Sequence, residues 1–314
     1  MLWNASMIQV DNLHKSFNSL HAVDGISFEV NQGELFGFLG PNGAGKTTTL
    51  SMISGLLKPD AGRVEIGGID VWSSPVQAKK MLGLVPQEIS LYEELSAREN
   101  LQFWGSLYDI TRAELKKSID VLLERVGLAD RAKEPVSKFS GGMKRRLNVA
   151  VGLVHRPKVV FFDEPTVGID PQSRNNILDF IREIAQAGST VIFTTHHLEE
   201  AESLCERIAI MDHGKMLATG SVEELAKIVG DGDIVTVRGE FDTIQFQKIF
   251  ENDGVTFINL ADQNATIGLT PSGPTVANVM QRLTEAEIEV HDLSIQKPSL
   301  ESVFLKLTGR ALRD

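Results

Sequence analysis

The sequence predicts an α/β fold with a largely parallel sheet over residues 7–230 and a small C-terminal α+β domain over residues 231–314. Three observations support this prediction. In the first region, short β-branched runs alternate with longer amphipathic runs. Two of these runs, 159–162 and 191–193, are continuously apolar, which is typical of strands covered on both faces. After residue 220, a helical run and a turn-rich GDGD segment mark a change of pattern.

Length and composition are those of a folded protein. The 314 residues allow two domains, and 42% hydrophobic with 23% charged residues is close to the average of globular chains. Asp and Glu total 42 against 31 Lys and Arg, which gives a net charge of −11. Because a field of this sign repels a phosphate backbone, we expect no nucleic-acid partner. The single cysteine, Cys205, cannot form an internal disulfide, and we expect it to be buried.

The chain is expected to begin with a loose extension, residues 1–6, and to enter its first strand at Met7. No apolar stretch approaches the roughly 18 residues of a membrane span, and the first residues lack a basic leader. The sequence therefore favours a cytoplasmic chain.

A helical subdomain is expected to interrupt the α/β pattern at about residues 90–155. Its clearest helix is ELKKSIDVLLERV, which places Leu115, Ile119, Leu122 and Leu123 on one apolar stripe opposite lysines and acids. We expect this helix to be buried along that stripe.

The second domain follows the order β-α-β-β-α-β of a ferredoxin-like fold. The predicted elements are strand 233–239, helix 243–251, strand 255–260, strand 264–269, helix 274–284, strand 287–294 and a final helix 298–308. Because no catalytic or metal-binding pattern is visible in this part of the sequence, we expect a regulatory or dimer-stabilising domain.

A phosphate-binding loop is predicted between the apolar strand ELFGFL and the helical run TTTLSMISGLL. The segment 40–47 fits G-x-x-x-x-G-K-[ST], whose glycines let backbone N–H groups surround phosphate oxygens at a helix N-terminus. Lys46 is expected to reach the β and γ phosphates of a nucleotide, and Thr47 to bind Mg²⁺. The alternative, a glycine-rich turn without function, is disfavoured by the flanking strand and helix. The expected nucleotide contacts are Gly40, Pro41, Asn42, Gly43, Ala44, Gly45, Lys46, Thr47 and Thr48.

Two adjacent acids, Asp163 and Glu164, follow the apolar run VVFF. We expect Asp163 to hold Mg²⁺, directly or through water, and Glu164 to act as general base for the attacking water. The alternative is a solvated acidic turn before Pro165, which the predicted phosphate-binding loop disfavours.

With further motifs in the same order, the chain over about residues 7–220 resembles the nucleotide-binding subunit of ABC transporters. The segment FSGGM is similar to the signature of that family, VPQE to its Q-loop, GIDP to its D-loop and TTHH to its switch-histidine segment. The resemblance implies an ATPase with the P-loop fold that binds ATP and Mg²⁺. It also implies phosphate contacts from Ser140, Gly141 and Gly142.

The same resemblance implies a role for each of the other matching residues. Gln87 is expected to sense Mg²⁺ and the lytic water and to contact a membrane partner. Asp170 is expected to couple two active sites, and Phe17 to stack on adenine. His196 is expected to hydrogen-bond the γ-phosphate and to orient Glu164 and the water.

Several of these residues also have a purely structural interpretation. Ser140 is a good N-cap for the helical run after it, although a capped helix N-terminus is itself an anion site. Gln87 could be an exposed loop residue, and Phe17 could be a core residue between strands. Because a hydroxyl residue directly precedes the histidine of the family pattern, His196 is selected and His197 is expected to begin a helix.

The signature ends in Met143, where many family members have Gln, so the hydrogen bond of that amide is missing. FSGGMKRRL and the C-terminal PSLESVFLKLTGR are similar to the drug-export branch related to daunorubicin-resistance ATPases. This similarity implies an exporter of the ABC-2 type. Two copies of the chain would then bind ATP head to tail, attached to the cytoplasmic face of the membrane through separate permease subunits.

Two other function classes stay open. The first is a soluble ABC-type ATPase acting on nucleic acid or ribosomes, which the acidic charge and the lack of a long coiled-coil insertion disfavour. The second, a P-loop kinase or GTPase, does not explain the SGG and TTH segments. The exported compound is not encoded here, because it would contact the permease.

Overall fold

A computed structural model describes residues 6–251, 254–270, 272–310 and 312. The chain divides into two compact units between Met216 and Leu217. Of the predicted N-terminal extension, residues 1–5 lie outside the described residues, and Ser6 is the first residue of strand β1.

The first unit combines two sheets with the helices that follow their strands. Its strands are β1 (Ser6–Phe17), β2 (Leu20–Asn31), β3 (Leu35–Leu39), β4 (Ala61–Ile66), β5 (Ile69–Asp70), β6 (Leu82–Val85), β7 (Val159–Asp163), β8 (Thr190–Thr195), β9 (Arg207–Asp212) and β10 (Lys215–Gly220), the last of which crosses the boundary. Its helices are α1 (Lys46–Ile53), α2 (Pro75–Lys80), α3 (Ala97–Gly105), α4 (Arg112–Arg125), α5 (Gly141–Leu153), α6 (Pro171–Gln186) and α7 (Leu198–Leu204), with 3₁₀ turns at Ala129–Arg131 and Val136–Lys138.

The larger sheet is parallel in the order β9-β3-β8-β7-β6, with β10 at its edge. The smaller sheet is antiparallel in the order β2-β1-β4-β5. Strands β7 and β8 are buried along their whole length, as their continuous apolar runs predicted. The predicted α/β class is therefore confirmed.

Helices α3, α4 and α5 form the helical part of this unit. Thr111 begins α4 with a capping box, in which its hydroxyl accepts the N–H of Glu114 and the Glu114 carboxylate accepts the N–H of Thr111. The predicted apolar stripe of α4 is buried. Neither these helices nor any other within the described residues combine the length and the apolar character that a membrane span needs.

The central strand β3 passes close to the chain's one cysteine. A Cβ on Gly37 would lie 2.6 Å from the Cys205 sulfur, so the strand needs glycine at this position. Cys205 follows directly after α7 and is buried, as predicted. Burial raises the pKa of its thiol above the ordinary range.

The second unit has the ferredoxin-like topology predicted from the order of its elements. Its elements are α8 (Val222–Ala226), β11 (Ile234–Gly239), α9 (Thr243–Phe250), β12 (Val255–Ala261), β13 (Asn264–Leu269), α10 (Val276–Glu285), β14 (Val290–Gln296) and α11 (Leu300–Thr308). The sheet is antiparallel in the order β12-β13-β11-β14. Its core contains Val235, Val237, Phe246, Phe250 and Leu283.

This unit begins at Leu217, whereas the sequence pattern placed its start near Asp231. The difference arises because α8 packs within the second unit. Leu225 of α8 is buried, and the carbonyl of Ile228 accepts a hydrogen bond from the Lys306 ammonium of α11 at 2.6 Å. The GDGD turn therefore lies inside the unit and does not separate the two.

Candidate active site

Four loops meet at the carboxyl edge of the parallel sheet. The strand register places Leu39 of β3 beside Thr195 of β8, and Thr194 of β8 beside Asp163 of β7. Strand β6 runs in the same direction beside β7. Because parallel strands end at the same edge, the segments that follow β3, β6, β7 and β8 converge there. These segments carry four of the motifs predicted from the sequence.

The loop after β3 is packed too closely for side chains at two of its glycines. A Cβ on Gly40 would lie 2.3 Å from the Met211 carbonyl oxygen. Gly45 has a φ of +102°, and a Cβ there would lie 2.5 Å from the Ala22 carbonyl oxygen. Gly43 also has a positive φ, but an added Cβ would meet nothing within 4 Å. The backbone of the loop is therefore open at Gly43 and continues directly into the N-terminus of α1. Backbone N–H groups at such a helix N-terminus can bind an anion.

Lys46, the first residue of α1, is buried within this loop. Its ammonium donates to the carbonyl oxygens of Gly40 at 2.6 Å and Pro41 at 3.1 Å. It also lies 3.1 Å from Oε1 of Glu164. A buried ammonium needs partners of this kind, and because it has three N–H donors, the oxygens of a bound phosphate can take the place of some of these partners.

The residues expected to hold Mg²⁺ lie next to each other. The Thr47 hydroxyl donates to Oδ1 of Asp163 at 3.1 Å, and the Thr194 hydroxyl donates to the same oxygen at 2.8 Å. Burial raises the pKa of Asp163, against the opposing effect of these two hydrogen bonds. A nearby cation would favour the ionised carboxylate, and hydroxyl and carboxylate oxygens are the ligands Mg²⁺ prefers. The two side chains therefore fit this metal.

Glu164 is buried at the centre of the site in an unusual backbone conformation. Its φ of +44° is rare for a residue with a side chain and points to local strain. Its N–H donates to the Thr194 hydroxyl at 2.9 Å. Its Oε2 lies 3.3 Å from Nδ1 of His196 and 3.5 Å from Nε2 of Gln87. Both side chains can therefore help to orient a water molecule bound by Glu164.

The two neighbouring histidines have different surroundings. Nδ1 of His196 is buried and, although it is close to Glu164, has no hydrogen bond of good geometry. His197 is the N-cap of α7, and its N–H donates to the Thr195 hydroxyl at 3.0 Å. This agrees with the assignment of His197 to a helix start.

A cavity of about 480 Å³ lies over the phosphate-binding loop. Its lining includes residues 42–48, Gln87, Glu164 and Phe17. Phe17 is 46% exposed, which argues against the alternative of a core residue. The size of the cavity is typical of a site for a small ligand.

The signature residues are together, but not at this cavity. Ser140 is the N-cap of α5, where its hydroxyl accepts the N–H of Met143 at 3.3 Å. A Cβ on Gly142 would lie 2.8 Å from the Ser173 hydroxyl and 3.3 Å from Oδ2 of Asp170, so α5 begins against the start of α6. None of Ser140, Gly141, Gly142 and Asp170 is among the described residues that line the cavity.

Sequence reasoning missed three polar residues of this region. Thr194 connects Asp163 to the backbone of Glu164, and a threonine inside an apolar strand was the available signal, because a buried hydroxyl requires partners. Glu200 and Arg174 form an ion pair between α7 and α6. A glutamate and an arginine that lie on separate helices leave no pattern in the sequence.

Comparison with known proteins places the chain in a family. Residues 23–167 match the family model described as ABC transporter. The chain is 44% identical to the linearmycin resistance ATP-binding protein LnrL of Bacillus subtilis (strain 168), over 98% of this chain and 100% of that protein. It is 35% identical to the daunorubicin/doxorubicin resistance ATP-binding protein DrrA of Streptomyces peucetius, over 98% and 94%. It is 37% identical to the Nod factor export ATP-binding protein I of Ralstonia nicotianae, over 98% and 95%.

Solved structures agree with this placement. An ATP-binding subunit of an ABC transporter superposes with a TM-score of 0.66 at 28% identity, over 71% of this chain and 93% of that chain. A dimeric ATP-binding cassette in a post-hydrolysis state with ADP and Pi has a TM-score of 0.63 at 25% identity, over 68% and 98%. The chain therefore belongs to the ABC transporter family, as a subunit that binds and hydrolyses ATP with Mg²⁺.

Proposed function

We propose that this chain powers export across a membrane through separate ABC-2 type permease subunits, with two copies of the chain arranged head to tail. The relatives reported above are named for drug resistance and Nod factor export, and one solved neighbour is a dimer. The observation that carries the proposal is that the chain has two separate half-sites. The cavity at the phosphate-binding loop is lined without the signature residues.

The second half-site is suited to a phosphate from another copy. Ser140 is exposed and already ordered as the cap of α5, a helix of 13 residues whose N-terminus attracts anions. A Cβ on Gly141 would meet nothing within 4 Å, so its backbone is open to a ligand. ATP bound at the loop of one copy would be covered by the signature of the other, and Asp170 beside that signature would lie at the contact.

Within one cavity, each side chain has a distinct task in the hydrolysis of ATP. Lys46 balances the charge of the β and γ phosphates. Thr47 and Asp163 hold Mg²⁺, which when bound neutralises charge that develops on the phosphate oxygens. Glu164 takes a proton from the attacking water, and His196 contacts the γ-phosphate and fixes that water against Glu164.

Gln87 would complete this arrangement from the side of the membrane partner. Next to it lies an apolar groove of about 420 Å³, lined in part by Pro86, Trp104 and Tyr108. The Trp104 indole N–H is buried without a hydrogen-bond partner, and Leu107 beside it is 63% exposed. An apolar groove beside an exposed leucine is suited to an apolar surface of a protein partner. We assign the permease to this groove, which would attach the chain to the cytoplasmic face of the membrane.

The remaining part of the proposal concerns the domains. The ATPase domain is proposed to bind nucleotide without help from the ferredoxin-like unit, since the assigned nucleotide-contacting residues all precede Leu217. The second unit is proposed to regulate the ATPase or to stabilise its dimer. The alternative of a soluble ATPase acting on nucleic acid finds no support in the names of the relatives, and the net charge of −11 opposes it.

A mixing experiment tests the head-to-tail arrangement. Lys46→Ala subunits lack a working loop but carry an intact signature, and Ser140→Ala subunits are the reverse. Mixed dimers then contain one intact site, so the mixture should hydrolyse more ATP than either variant alone, with permease present if turnover needs it. Adding Glu164→Gln to both chains gives a second assay that does not depend on turnover, because one ATP per mixed dimer should be trapped.

The matched control is Ser137→Ala, which removes an exposed hydroxyl three residues before Ser140. Ser137→Ala subunits keep both an intact loop and an intact signature. They should therefore be fully active alone, and their mixture with Lys46→Ala should have the activity expected from the number of intact sites. If the Lys46→Ala and Ser140→Ala mixture is no better than its parts in both assays, the site is completed within one chain and the dimer proposed here is wrong.

A further inference from the structure

One carboxylate outside the assigned site is completely enclosed. Glu200 on α7 has no exposed surface. Its Oε2 accepts the Thr195 hydroxyl at 2.6 Å, and its Oε1 accepts Nε–H of Arg174 at 2.7 Å. A buried carboxylate is costly unless it is paired and hydrogen-bonded, and here both oxygens have partners from other elements.

The first partner controls the backbone around His196. The Thr195 hydroxyl donates to Glu200 and accepts the N–H of His197. These two hydrogen bonds hold the backbone on both sides of His196, because Thr195 and His197 are its neighbours in the chain. The Thr195 carbonyl accepts the N–H of Gly40 at 3.3 Å, which ties the same residue to the phosphate-binding loop. The place of His196 beside Glu164 therefore depends on where Thr195 is held.

The second partner lies at the start of α6. Arg174 is in the first turn of this helix, and its N–H donates to the Asp170 carbonyl at 2.9 Å. The same turn packs against α5 at Gly142. Glu200 thus holds the loop that carries His196 against α6, the helix that Asp170 caps.

Apolar packing alone could hold α7 in place, because its Ala201 and Leu204 are also buried. Replacing a buried ion pair by apolar residues of similar volume is often neutral or stabilising, so a pair of this kind is weak evidence for stability. The pair does fix the orientation of the Glu200 carboxylate, since each of its oxygens accepts a hydrogen bond from a different partner. The pair therefore contributes a fixed position for Thr195, at the end of β8, in addition to the packing of α7.

We propose that Glu200, held by Arg174, is a positioning residue for ATP hydrolysis that fixes Thr195 and thereby sets His196 against Glu164. This inference rests on the role of His196 in the proposed function. It differs from a general contribution to folding, because it requires the effect of Glu200 to pass through His196.

The test is a double-mutant comparison in the full-length chain. Glu200→Gln should lower kcat by about 10- to 100-fold, as loss of an orienting partner does at other sites, with less than a twofold change in KM for ATP. In a His196→Ala background, the same substitution should lower kcat by less than twofold more. Glu199→Gln, an exposed acid in the same helix, is the control and should leave kcat within twofold of wild type.

Two further pairs cover the possibility that Glu200→Gln folds poorly. Thr195→Val removes the hydroxyl at nearly constant size, and Thr195→Ser restores it. Arg174→Met removes the charge at a side chain that is 30% exposed, and Arg174→Lys restores it. The Ser and Lys variants should recover most of kcat, while thermal unfolding reports any general loss of stability.

Equal losses from Glu200→Gln with and without His196 would overturn the inference, as would a loss that follows the melting temperature alone. Failure of the proposed function has a different signature. In that case the mixture of Lys46→Ala and Ser140→Ala would show no rescue, or His196→Ala by itself would leave ATP turnover unchanged.

Discussion

Glu164→Gln probes the centre of the site, because the amide has the volume of the carboxylate but cannot take a proton from water. We expect turnover to fall by about 10²- to 10⁴-fold, which corresponds to about 3–5 kcal/mol of activation free energy. Mg·ATP binding should persist, since Lys46 retains the carbonyl oxygens of Gly40 and Pro41 as acceptors at 2.6 and 3.1 Å.

The same structure predicts a second, opposite effect on stability. Without nucleotide, the variant loses the 3.1 Å ion pair between Lys46 and Glu164, both of which are buried. Breaking such a pair lowers the free energy of unfolding by up to about 3–5 kcal/mol when the remaining charge has no other partner. The loss is smaller here because the Lys46 ammonium keeps the carbonyl oxygens of Gly40 and Pro41. Bound ATP supplies new negative charge, so the melting temperature should rise more on addition of ATP in the variant than in wild type.

Steady-state release of phosphate and thermal unfolding with and without Mg·ATP measure both effects. Glu199→Gln, the same chemical change at an exposed position, serves as control. Residual turnover above about 10% of wild type would rule out Glu164 as general base, because loss of such a base costs about 100-fold or more. An unchanged response of the melting temperature to ATP would show that the pair with Lys46 is not broken or not replaced.

Three further predictions concern the binding of the adenine base, the pH dependence of the free energy of unfolding, and the boundary between the two units. Phe17→Ala should weaken ATP binding by about 5- to 100-fold, the range of a lost aromatic stack, but leave binding of inorganic tripolyphosphate within twofold; equal losses for both ligands would exclude stacking. Burial lowers the pKa of His155 from 6.5 to about 4, so the unfolded chain binds more protons between these values and the free energy of unfolding should decrease, by at most about 3 kcal/mol, as the pH falls from 6.5 to 4. His155→Phe, which keeps the stacking on its aromatic neighbour, should show a smaller decrease, measured by urea unfolding across this range, and an unchanged slope would refute the assignment. A chain ending at Gly220 should bind ATP and stay soluble, whereas one ending at Gly230 exposes the apolar side of α8 and should aggregate more in light scattering; the reverse order would place the boundary after α8.

The main fold was predictable because its signals are local. The apolar runs of β7 and β8 and the capped, amphipathic α4 each contain their own evidence within a few residues. The ferredoxin-like unit could be predicted from the order of its elements alone. Its strand β14 begins at Val290, three residues later than the pattern suggested, because Glu287 has a φ of +58° and ends α10 in a turn. A backbone conformation of this kind in a glutamate has no signature in the sequence.

The site was predictable only where one motif carries one task. The loop before α1 and the acids after β7 follow this rule. The contacts that organise Glu164 do not, since Gln87, Thr194 and His196 lie at the ends of two other strands, β6 and β8, and their proximity depends on strand register. The pair between Glu200 and Arg174 joins residues on different helices, and only the packing of α7 against α6 brings them together.

The close approach of Cys205 to Gly37 has a practical consequence for labelling. Thiol reagents react with the thiolate, and this sulfur is buried, has a raised pKa and is the only one from cysteine in the chain. The native chain is therefore expected to react little with maleimide dyes and spin labels. A cysteine introduced at an exposed position such as Val121 would be the single reactive thiol, so distances between two copies could be followed through a catalytic cycle without first removing Cys205 and risking a void under β3.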